Sequence, residues 1–278
     1  MFFAITPPLK RALHFRAMTP SRVHTDLRQQ HTSQEVDPTI PPLLHTPNFH
    51  VSNLDAIDWL NSLPSNSADL VITDPPYESL EKHRAVGTTT RLKHSKSSSN
   101  NWFEIFPNRR FPELLSEIYR ITKPNRHFYV FCDQETMFIL KPLAEATGFK
   151  FWKPLIWDKQ HIGMGYHYRS RYEFILFFEK GKRRLNNLGI ADVISAARVH
   201  RGYPTEKPIS LLETLISQST TKDELVVDPF MGSGSTGVAA LRNSRRFKGN
   251  DISPMAIEIA TPRLAQSPSS SQLPFSKK

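Results

Sequence analysis

An apolar run that leads directly into a glycine-rich turn constrains the fold of this chain more than any other segment. Val226 and Val227 precede the sequence Asp-Pro-Phe-Met-Gly-Ser-Gly-Ser-Thr-Gly, which occupies positions 228–237. Its glycines follow the pattern G-x-G-x-x-G, in which a strand, a tight turn and a helix succeed one another and backbone N–H groups approach a ligand. The segment therefore predicts an α/β unit with a ligand at the N terminus of a helix.

The residues around this turn indicate the class of ligand. Asp251 ends the next predicted strand, and an acid about 20 residues after the first glycine is typical of ribose binding, so an adenosine-containing cofactor is predicted. Val238 follows Gly237 where a phosphate-binding loop would carry lysine, which argues against an ATPase. Because little chain follows Asp251, the remaining strands must come from upstream. This order favours a circularly permuted sheet over an NAD-binding domain.

Apolar runs and helical periods alternate between residues 47 and 265, which predicts a mostly parallel sheet covered by helices on both faces. Strands are predicted at 49–52, 70–73, 127–132, 149–157, 172–178, 225–228 and 247–252. Helices are predicted at 55–63, around 114–119, at 135–147 and 209–219, and from Pro254 after an N-cap at Ser253. Hydrophobic residues form 38% of the chain, enough for such a core, and the single cysteine, Cys132, excludes a disulfide-stabilised scaffold.

A second motif follows the predicted strand at 70–73. It consists of Asp74, Pro75, Pro76 and Tyr77, at a strand end where open parallel sheets bind ligands. The two prolines fix φ and remove two N–H donors, so the Asp74 carboxylate and the adjacent carbonyl oxygens form a rigid set of acceptors. Such a set matches an amino group that has two hydrogens to donate, and Tyr77 adds a flat face for stacking.

These two motifs, in this order, resemble those of the exocyclic-amino DNA methyltransferases of the β class, in which D/S/N-P-P-Y/F precedes F-x-G-x-G. Residues 74–77 match the first motif and residues 230–234 the second, while Thr-Glu-Lys-Pro at 205–208 is similar to a segment that this group carries before the glycine motif. The resemblance extends from about residue 49 to residue 265. It implies S-adenosylmethionine as methyl donor and an α/β, Rossmann-like methyltransferase fold with a mostly parallel, circularly permuted sheet.

The resemblance also implies roles for individual residues. Asp74 would orient and activate the amino group, the carbonyl of Pro75, next to Pro76, would accept a second hydrogen bond, and Tyr77 would stack on a flipped base. The predicted cofactor-binding residues are Asp228, Phe230, Gly232, Ser233, Gly234, Asp251 and Lys207. Among them Asp228 would anchor the loop, the loop would face the methionine end of the cofactor, and Asp251 would bind the ribose. Ile252 stands where relatives often carry an aromatic residue, so the adenine pocket departs from the family pattern.

The expected reaction is site-specific methylation of N6 of adenine in double-stranded DNA. N4 of cytosine presents a similar amino group to the same acceptors and is the nearest alternative. RNA or a protein amide is a more distant substrate, because Asn usually replaces Asp74 there. Alternatives of other classes are an NAD-dependent oxidoreductase and a non-catalytic nucleic-acid-binding protein. No metal site is predicted, since His161 and His167 do not form a convincing ligand pair.

The charge of the chain favours a polyanionic partner. It contains 36 Lys and Arg against 26 Asp and Glu, a formal net charge of +10. Two insertions near 78–110 and 159–203 are expected to contact DNA. The basic residues that define them are Lys82, Arg84, Arg91, Lys93, Lys96, Arg109 and Arg110 in the first, and Lys159, Arg169, Arg171, Lys180, Lys182, Arg183 and Arg184 in the second.

The two ends of the chain differ in composition from the middle. Residues 1–46 are predicted to form a disordered basic, proline-rich tail, and residues 266–278 a disordered tail. The basic beginning fits a flexible arm, a start codon assigned upstream of Met18, or an organellar targeting segment. No apolar run approaches membrane-spanning length, so no membrane association is expected. The protein is expected in the cytoplasm, and a homodimer and a cognate restriction endonuclease remain open as partners.

Overall fold

The computed structural model describes residues 48–79, 104–163, 167–199, 203 and 205–267. All of them fall within one compact unit that spans residues 42–278. The predicted N-terminal tail, most of the predicted C-terminal tail, and residues 80–103 of the first predicted insertion lie outside the described residues.

The described residues form eight strands and six α-helices. The strands are β1 (Phe49–Ser52), β2 (Ala68–Thr73), β3 (Thr122–Cys132), β4 (Lys150–Asp158), β5 (Tyr172–Lys180), β6 (Val193–Ser195), β7 (Leu225–Asp228) and β8 (Arg246–Asn250). The helices are α1 (Ala56–Ser62), α2 (Phe111–Ile121), α3 (Gln134–Ala146), α4 (Ile209–Ser219), α5 (Ser235–Arg242) and α6 (Pro254–Ala265). A 3₁₀ turn at Asn108–Arg110 leads into α2.

All eight strands form one sheet in the order β1-β8-β7-β2-β3-β5-β4-β6. Only β5 runs against its neighbours, β3 and β4, so the predicted α/β fold with a mostly parallel sheet is confirmed. In the centre β7 pairs with β2 in parallel, with Leu70 opposite Val226 and Val71 opposite Val227. The carboxyl ends of these two strands, each of which carries one of the motifs, therefore finish side by side.

Burial explains why the central strands are mostly apolar. All six residues of β2 and all four of β7 are buried, as in a parallel sheet covered on both faces. Leu70 and Ile72 point into a core cluster that includes residues of α4, α5 and α6, while Val71 points into a second cluster with residues of α1, α2 and α3. The alternation of side chains along one strand thus supplies both layers of core.

Several boundaries follow local capping signals. The Asp55 carboxylate accepts the N–H of Ile57 at 2.9 Å at the start of α1, and the Asp133 carboxylate accepts the N–H of Thr136 at 2.8 Å at the start of α3. Ser253 precedes α6 as predicted but makes no side-chain cap. Its N–H instead donates to Asp251 at 2.9 Å.

Several strand bounds differ from the predicted ones, most of all at the start of β3, and one strand was not predicted. β3 begins five residues before the predicted position, because polar residues 122–126 continue the ladder that the apolar run alone did not reveal. β8 ends at Asn250 rather than at residue 252. β6 was not predicted, since three partly exposed residues carry too short a pattern to indicate a strand. No helix in the described part of the chain is both long and apolar enough to cross a membrane.

Candidate active site

The two sequence motifs line a single cavity of about 330 Å³ at the carboxyl edge of the sheet. Asp74–Tyr77 enter it from the end of β2, and the turn after β7 enters it from the neighbouring strand. The cavity is lined by ten of the predicted site residues, namely Asp74, Pro75, Pro76, Tyr77, Lys207, Asp228, Phe230, Gly232, Ser233 and Asp251. Gly234 lies just behind the cavity, as the N-cap residue of α5.

Not all hydrogen-bond acceptors of the Asp-Pro-Pro-Tyr motif are free to bind a ligand. The carbonyl oxygen of Pro76 accepts the N–H of Phe106 at 2.7 Å, which ties the motif to the segment before α2. No described residue donates to the carbonyl of Pro75. The Asp74 carboxylate and the Pro75 carbonyl therefore form the acceptor pair at the cavity wall.

Tyr77 is more enclosed than a stacking platform would need to be. Its side chain is 9% exposed, and it belongs to the core cluster on the α1–α3 side of the sheet. It also forms an isolated parallel bridge with Phe106. Burial, reinforced by the charges of Glu173 and Asp74, raises the pKa of Tyr77 well above its ordinary value, so the hydroxyl stays neutral.

The glycine turn has a backbone that only glycine adopts readily. Gly232 has φ +50° and Gly234 has φ +79°, both in the left-handed region. A Cβ atom on Gly232 would lie 3.2 Å from the ring of Tyr203, and one on Gly234 would lie 3.0 Å from Cβ of Ala260. Gly232 therefore lines the cavity beside Tyr203 and Gly234 packs on Ala260, and neither position has room for a larger side chain.

Two acids, the buried Asp228 and the partly buried Asp251, hold this turn in place. Asp228 is 3% exposed and accepts the N–H of Phe230 at 3.1 Å. Burial raises its pKa to about 7, against the opposing effect of hydrogen bonds to its carboxylate. Asp251 accepts the N–H of Gly232 and the N–H of Ser253, each at 2.9 Å, and so links the turn to the start of α6. Burial also raises the pKa of Asp251.

A charged cluster occupies the side of the cavity next to Asp74. The ammonium of Lys207 donates to Oδ2 of Asp74 and lies 3.2 Å from Oε1 of Glu173, whose Oε2 is 2.8 Å from Nζ of Lys159. The sequence had assigned Lys207 to the cofactor, whereas its ammonium contacts the residue assigned to the base. Lys207 also lies over Phe131, with Nζ 5.0 Å from the ring centroid.

The pKa values in this cluster follow from burial and charge. Burial raises the pKa of Asp74, and the neighbouring Lys207 opposes this. For Glu173 burial acts in the same direction, but Lys207 and Lys159 outweigh it and lower the pKa. Burial disfavours the charge on Lys207, yet the two carboxylates outweigh burial and raise its pKa. The shifts of Glu173 and Lys207 favour their charged forms, whereas at Asp74 burial works against the charge and Lys207 favours it.

Three further residues line the cavity in roles that sequence reasoning did not assign to them; Arg110, for example, was predicted to contact DNA. Asp55 and Arg110 form a bidentate ion pair with two contacts of 2.7 Å, and the guanidinium lies 5.1 Å from the centroid of the Phe106 ring. In the sequence Asp55 is already explained as the residue that caps α1, so nothing indicates its ion pair with Arg110. Glu206 accepts from Arg263 at 2.6 Å, and the other nitrogen of that guanidinium reaches the carbonyl of Ser233 at 3.0 Å. Only its position inside Thr-Glu-Lys-Pro could have indicated Glu206.

The basic residues of the second predicted insertion separate into two groups. Lys159 lines the cavity, as does Arg198, which the prediction did not name. The exposed Arg171 forms a bidentate pair with Asp158 at 2.6 and 2.8 Å. Lys180 instead lies at the opposite edge of the sheet, where Nζ donates to the carbonyls of Tyr119 and Thr122, each at 2.7 Å. Because β5 runs antiparallel to its neighbours, its start lies at the carboxyl edge of the sheet, next to the cavity, and its end lies at the opposite edge.

Comparisons with known proteins indicate the family and the fold of the chain. The family model N6_N4_Mtase, described as DNA methylase, matches residues 68–262. The DNA adenine methyltransferase YhdJ of Escherichia coli is 26% identical over 250 residues, which cover 76% of this chain and 80% of YhdJ. Two crystal structures share the fold. The complex of M1.HpyAVI with SAM has a TM-score of 0.58 at 23% identity and covers 78% of this chain and all of the other, while the cytosine-N4-specific PvuII DNA methyltransferase has a TM-score of 0.60 at 17% identity and covers 84% and 89%.

Proposed function

The chain belongs to the N6/N4 family of DNA methylases, and from this premise we propose that it transfers a methyl group from S-adenosylmethionine to N6 of adenine in a base flipped out of double-stranded DNA. The observation that carries the proposal is the single cavity in which the acceptors of Asp74 and Pro75 lie beside the glycine turn. The strand β2 leads into the motif with Asp74 and Pro75, and the adjacent parallel strand β7 leads into the glycine turn.

The cofactor half of the cavity suits an adenosyl group with a charged methionine end. Gly232 and Ser233 line the cavity, and Gly232 has no side chain that would keep a ligand from the backbone. The Asp251 carboxylate lies beside them and can accept hydrogen bonds from hydroxyl groups. When bound, S-adenosylmethionine supplies an electrophilic methyl group on a sulfonium. The buried carboxylates of the wall favour this positive charge.

The base half of the cavity suits an exocyclic amino group. The two hydrogens of the amino group can be donated to the Asp74 carboxylate and to the Pro75 carbonyl, which localises the nitrogen lone pair. The carboxylate then stabilises the positive charge that develops on nitrogen as the methyl group is transferred. Flipping the base costs a few kcal/mol, and stacking on an aromatic ring can offset part of this cost. The aromatic residues Tyr77, Phe131 and Trp157 line the cavity, although all three are largely buried.

Two observations support adenine as the base. The motif begins with Asp74, where Ser is more frequent in enzymes that act on cytosine N4, and a relative over three quarters of the chain is named a DNA adenine methyltransferase. Cytosine N4 is the alternative, since PvuII methyltransferase has the same fold and a cytosine-N4 specificity.

The proposal is tested by identifying the methylated nucleoside. The purified chain is incubated with unmethylated double-stranded DNA and S-adenosylmethionine, and the digested DNA is examined by mass spectrometry. N6-methyladenine is the expected product. N4-methylcytosine would replace the proposal by its alternative, and the absence of both with several DNA sources would overturn it.

A substitution at Asp74 tests the assigned mechanism. In Asp74→Asn the side chain retains one acceptor but loses the negative charge, so we expect methyl transfer to fall by at least about 100-fold, in line with the loss of one stabilising group in other active sites. Cofactor affinity, measured by calorimetry, should stay within about twofold. Asp58→Asn, at an exposed acid of α1, is the matched control and should transfer methyl groups normally. Transfer by Asp74→Asn at the wild-type rate would refute the mechanism.

We also propose that double-stranded DNA covers the side of the cavity formed by Lys159, Arg198 and Arg171. These residues lie at the carboxyl edge of the sheet, next to the base half of the cavity. Lys180 and Arg183 are left out of this surface because they contact residues at the opposite edge.

A further inference from the structure

Two lysines and two acids form an unbroken series of ion pairs that begins at Asp74 and continues along the wall of the cavity. The series runs from Asp74 to Lys207, from Lys207 to Glu173 and from Glu173 to Lys159. The side chains of Lys207 and Glu173 are only 11% and 13% exposed. Resting on the proposed function, we propose that Glu173 and Lys207 are positioning residues that fix the orientation and the negative charge of the Asp74 carboxylate for the reaction.

The geometry assigns each oxygen of Asp74 a separate task. Lys207 contacts Oδ2, so the carboxylate cannot rotate without breaking an ion pair. Oδ1 has no donor among the described residues and remains for the amino group of the base. The Lys207 ammonium is itself fixed, because Glu173 holds it on one side and the rings of Phe131 and Trp157 lie 5.0 and 6.0 Å away.

Glu173 also prevents Lys207 from neutralising Asp74 completely. An ammonium that contacts one carboxylate would cancel its charge, whereas here one ammonium is shared by two carboxylates. Lys159 compensates the second charge from the far side of Glu173, at 2.8 Å. The four groups together are neutral, which lowers the cost of burying them, yet Asp74 keeps part of its negative charge for the cation that develops on the substrate nitrogen.

Other groups near Asp74 do not take over this task. The titratable side chains that face it are Lys207, Glu173, Lys159, Asp228, Tyr77 and Cys132. Burial raises the pKa of Tyr77 and of Cys132, so both are neutral in the working range. Asp228 contacts the glycine turn through the N–H of Phe230 and contributes only its charge. Lys207 is thus the only cation in direct contact with Asp74 among the described residues.

The pH dependence of methyl transfer distinguishes positioning from a merely structural role. Lys207→Met removes the positive charge beside Asp74, so the acid limb of the single-turnover rate should move to higher pH by about one unit or more. Glu173→Gln removes a negative charge, so the same limb should move to lower pH. Lys207→Arg retains the charge and should restore the wild-type midpoint.

The matched control breaks an ion pair of a buried acid at the other edge of the sheet. Lys123 contacts Asp69, which is 2% exposed, at 2.8 Å. Lys123→Met should leave the midpoint of the pH profile unchanged, although it removes the same kind of contact. If Lys207→Met and Glu173→Gln shift the acid limb in the same direction, or lower the rate at an unchanged midpoint, the proposal is overturned.

Two measurements without turnover complete the test. Binding of S-adenosylmethionine to Lys207→Met, measured by calorimetry, should stay within about threefold of wild type. A loss of tenfold or more would assign Lys207 to the cofactor instead and overturn the proposal. In the ligand-free protein, Lys207→Met should lower Tm more at pH 8 than at pH 5, because an unpaired Asp74 carboxylate must then be buried in its charged form.

Adding Asp74→Asn to Lys207→Met should recover a large part of the Tm that is lost at pH 8. No recovery would show that the two charges are not coupled and would overturn the proposal. Because this comparison uses no substrate, it remains decisive even if the wild-type protein methylates neither adenine nor cytosine, so failure of the proposed function is seen separately.

Discussion

At position 228 a carboxyl group lies almost wholly out of water, directly before the glycine turn. Its pKa of about 7 means that the folded protein binds a proton there over a range in which the unfolded chain, with the ordinary value of 3.8, has released it. The contribution of Asp228 to the free energy of unfolding therefore falls as pH rises from about 4 to about 7. Asp74 and Asp251, whose pKa values are also raised, act in the same direction.

Asp228→Asn should make the free energy of unfolding fall less as the pH rises. The amide carries no charge at any pH and keeps an oxygen that can accept the N–H of Phe230. Relative to wild type, the variant should gain about 2 to 3 kcal/mol of stability between pH 5 and pH 8, at about 1.4 kcal/mol for each unit of pKa difference. Urea unfolding at the two pH values measures it. A constant difference between the two proteins would contradict the assignment of this pKa.

Helix α5 shows what the third glycine of the turn motif does. A Cβ atom on Gly237 would lie 2.5 Å from Cδ2 of Leu264 and 2.6 Å from Cδ1 of Phe247, and both of these side chains are 1% exposed. The helix therefore approaches β8 and α6 more closely than any other residue at this position would allow.

Gly237→Ala should destabilise the protein although alanine favours helices. Overpacking costs about 1 to 3 kcal/mol, and the gain in helix propensity offsets up to about 1 kcal/mol of it. We expect a net loss of about 1 to 2 kcal/mol in denaturant unfolding, together with weaker cofactor binding. Ser210→Ala, at an exposed position of α4, is the control and should change stability by less than about 0.5 kcal/mol. A variant as stable as wild type would show that the helix can shift freely.

Elements with strong local signals could be predicted from the sequence, and those set by long-range packing could not. The bounds of α4 and β7 agree with the prediction to the residue. Pro208 marks the start of α4, and the apolar run of β7 ends at Asp228. The start of β3 was missed, since Lys123, Pro124 and Asn125 do not look like a strand.

The same distinction holds within the site. The two motifs can be recognised from the residue types and their spacing in the sequence, and the structure brings them to one cavity. The contact of Lys207 with Asp74 joins residues far apart in the chain and arises because α4 follows a segment that crosses the end of β2. The pairing of Glu173 with Lys207 depends on the one antiparallel strand, which begins rather than ends at the cavity edge. No local pattern encodes either contact.

The charge of the whole molecule predicts how DNA binding responds to salt. With a net charge of +10, the logarithm of the affinity should fall linearly with the logarithm of salt concentration. Lys93→Ala with Lys96→Ala should make this slope less steep by about 0.9 for each lysine that contacts a phosphate. These lysines lie outside the described residues, and their assignment to DNA is a prediction from sequence.

The control for this measurement changes the net charge equally. Lys141 pairs with Glu145 on α3, and Lys150 lies over the Trp152 ring at the start of β4, away from the cavity edge. Lys141→Ala with Lys150→Ala should leave the salt slope within error of wild type. Equal slopes for all three proteins would remove residues 78–110 from the DNA-binding surface. The slopes come from fluorescence anisotropy titrations at several salt concentrations.

The insertion that follows Tyr77 is closed at its base. Its two ends meet where Tyr77 bridges Phe106, where the Phe106 N–H reaches the Pro76 carbonyl, and where the N–H of Asn108 donates to Glu78 at 2.7 Å. A loop whose ends are already joined can change in length at little entropic cost to the domain that carries it. The sequence predicts that this insertion contacts DNA. On that prediction, a loop from a relative with another target, grafted between positions 78 and 108, should change the DNA site and leave the chemistry of the cavity intact.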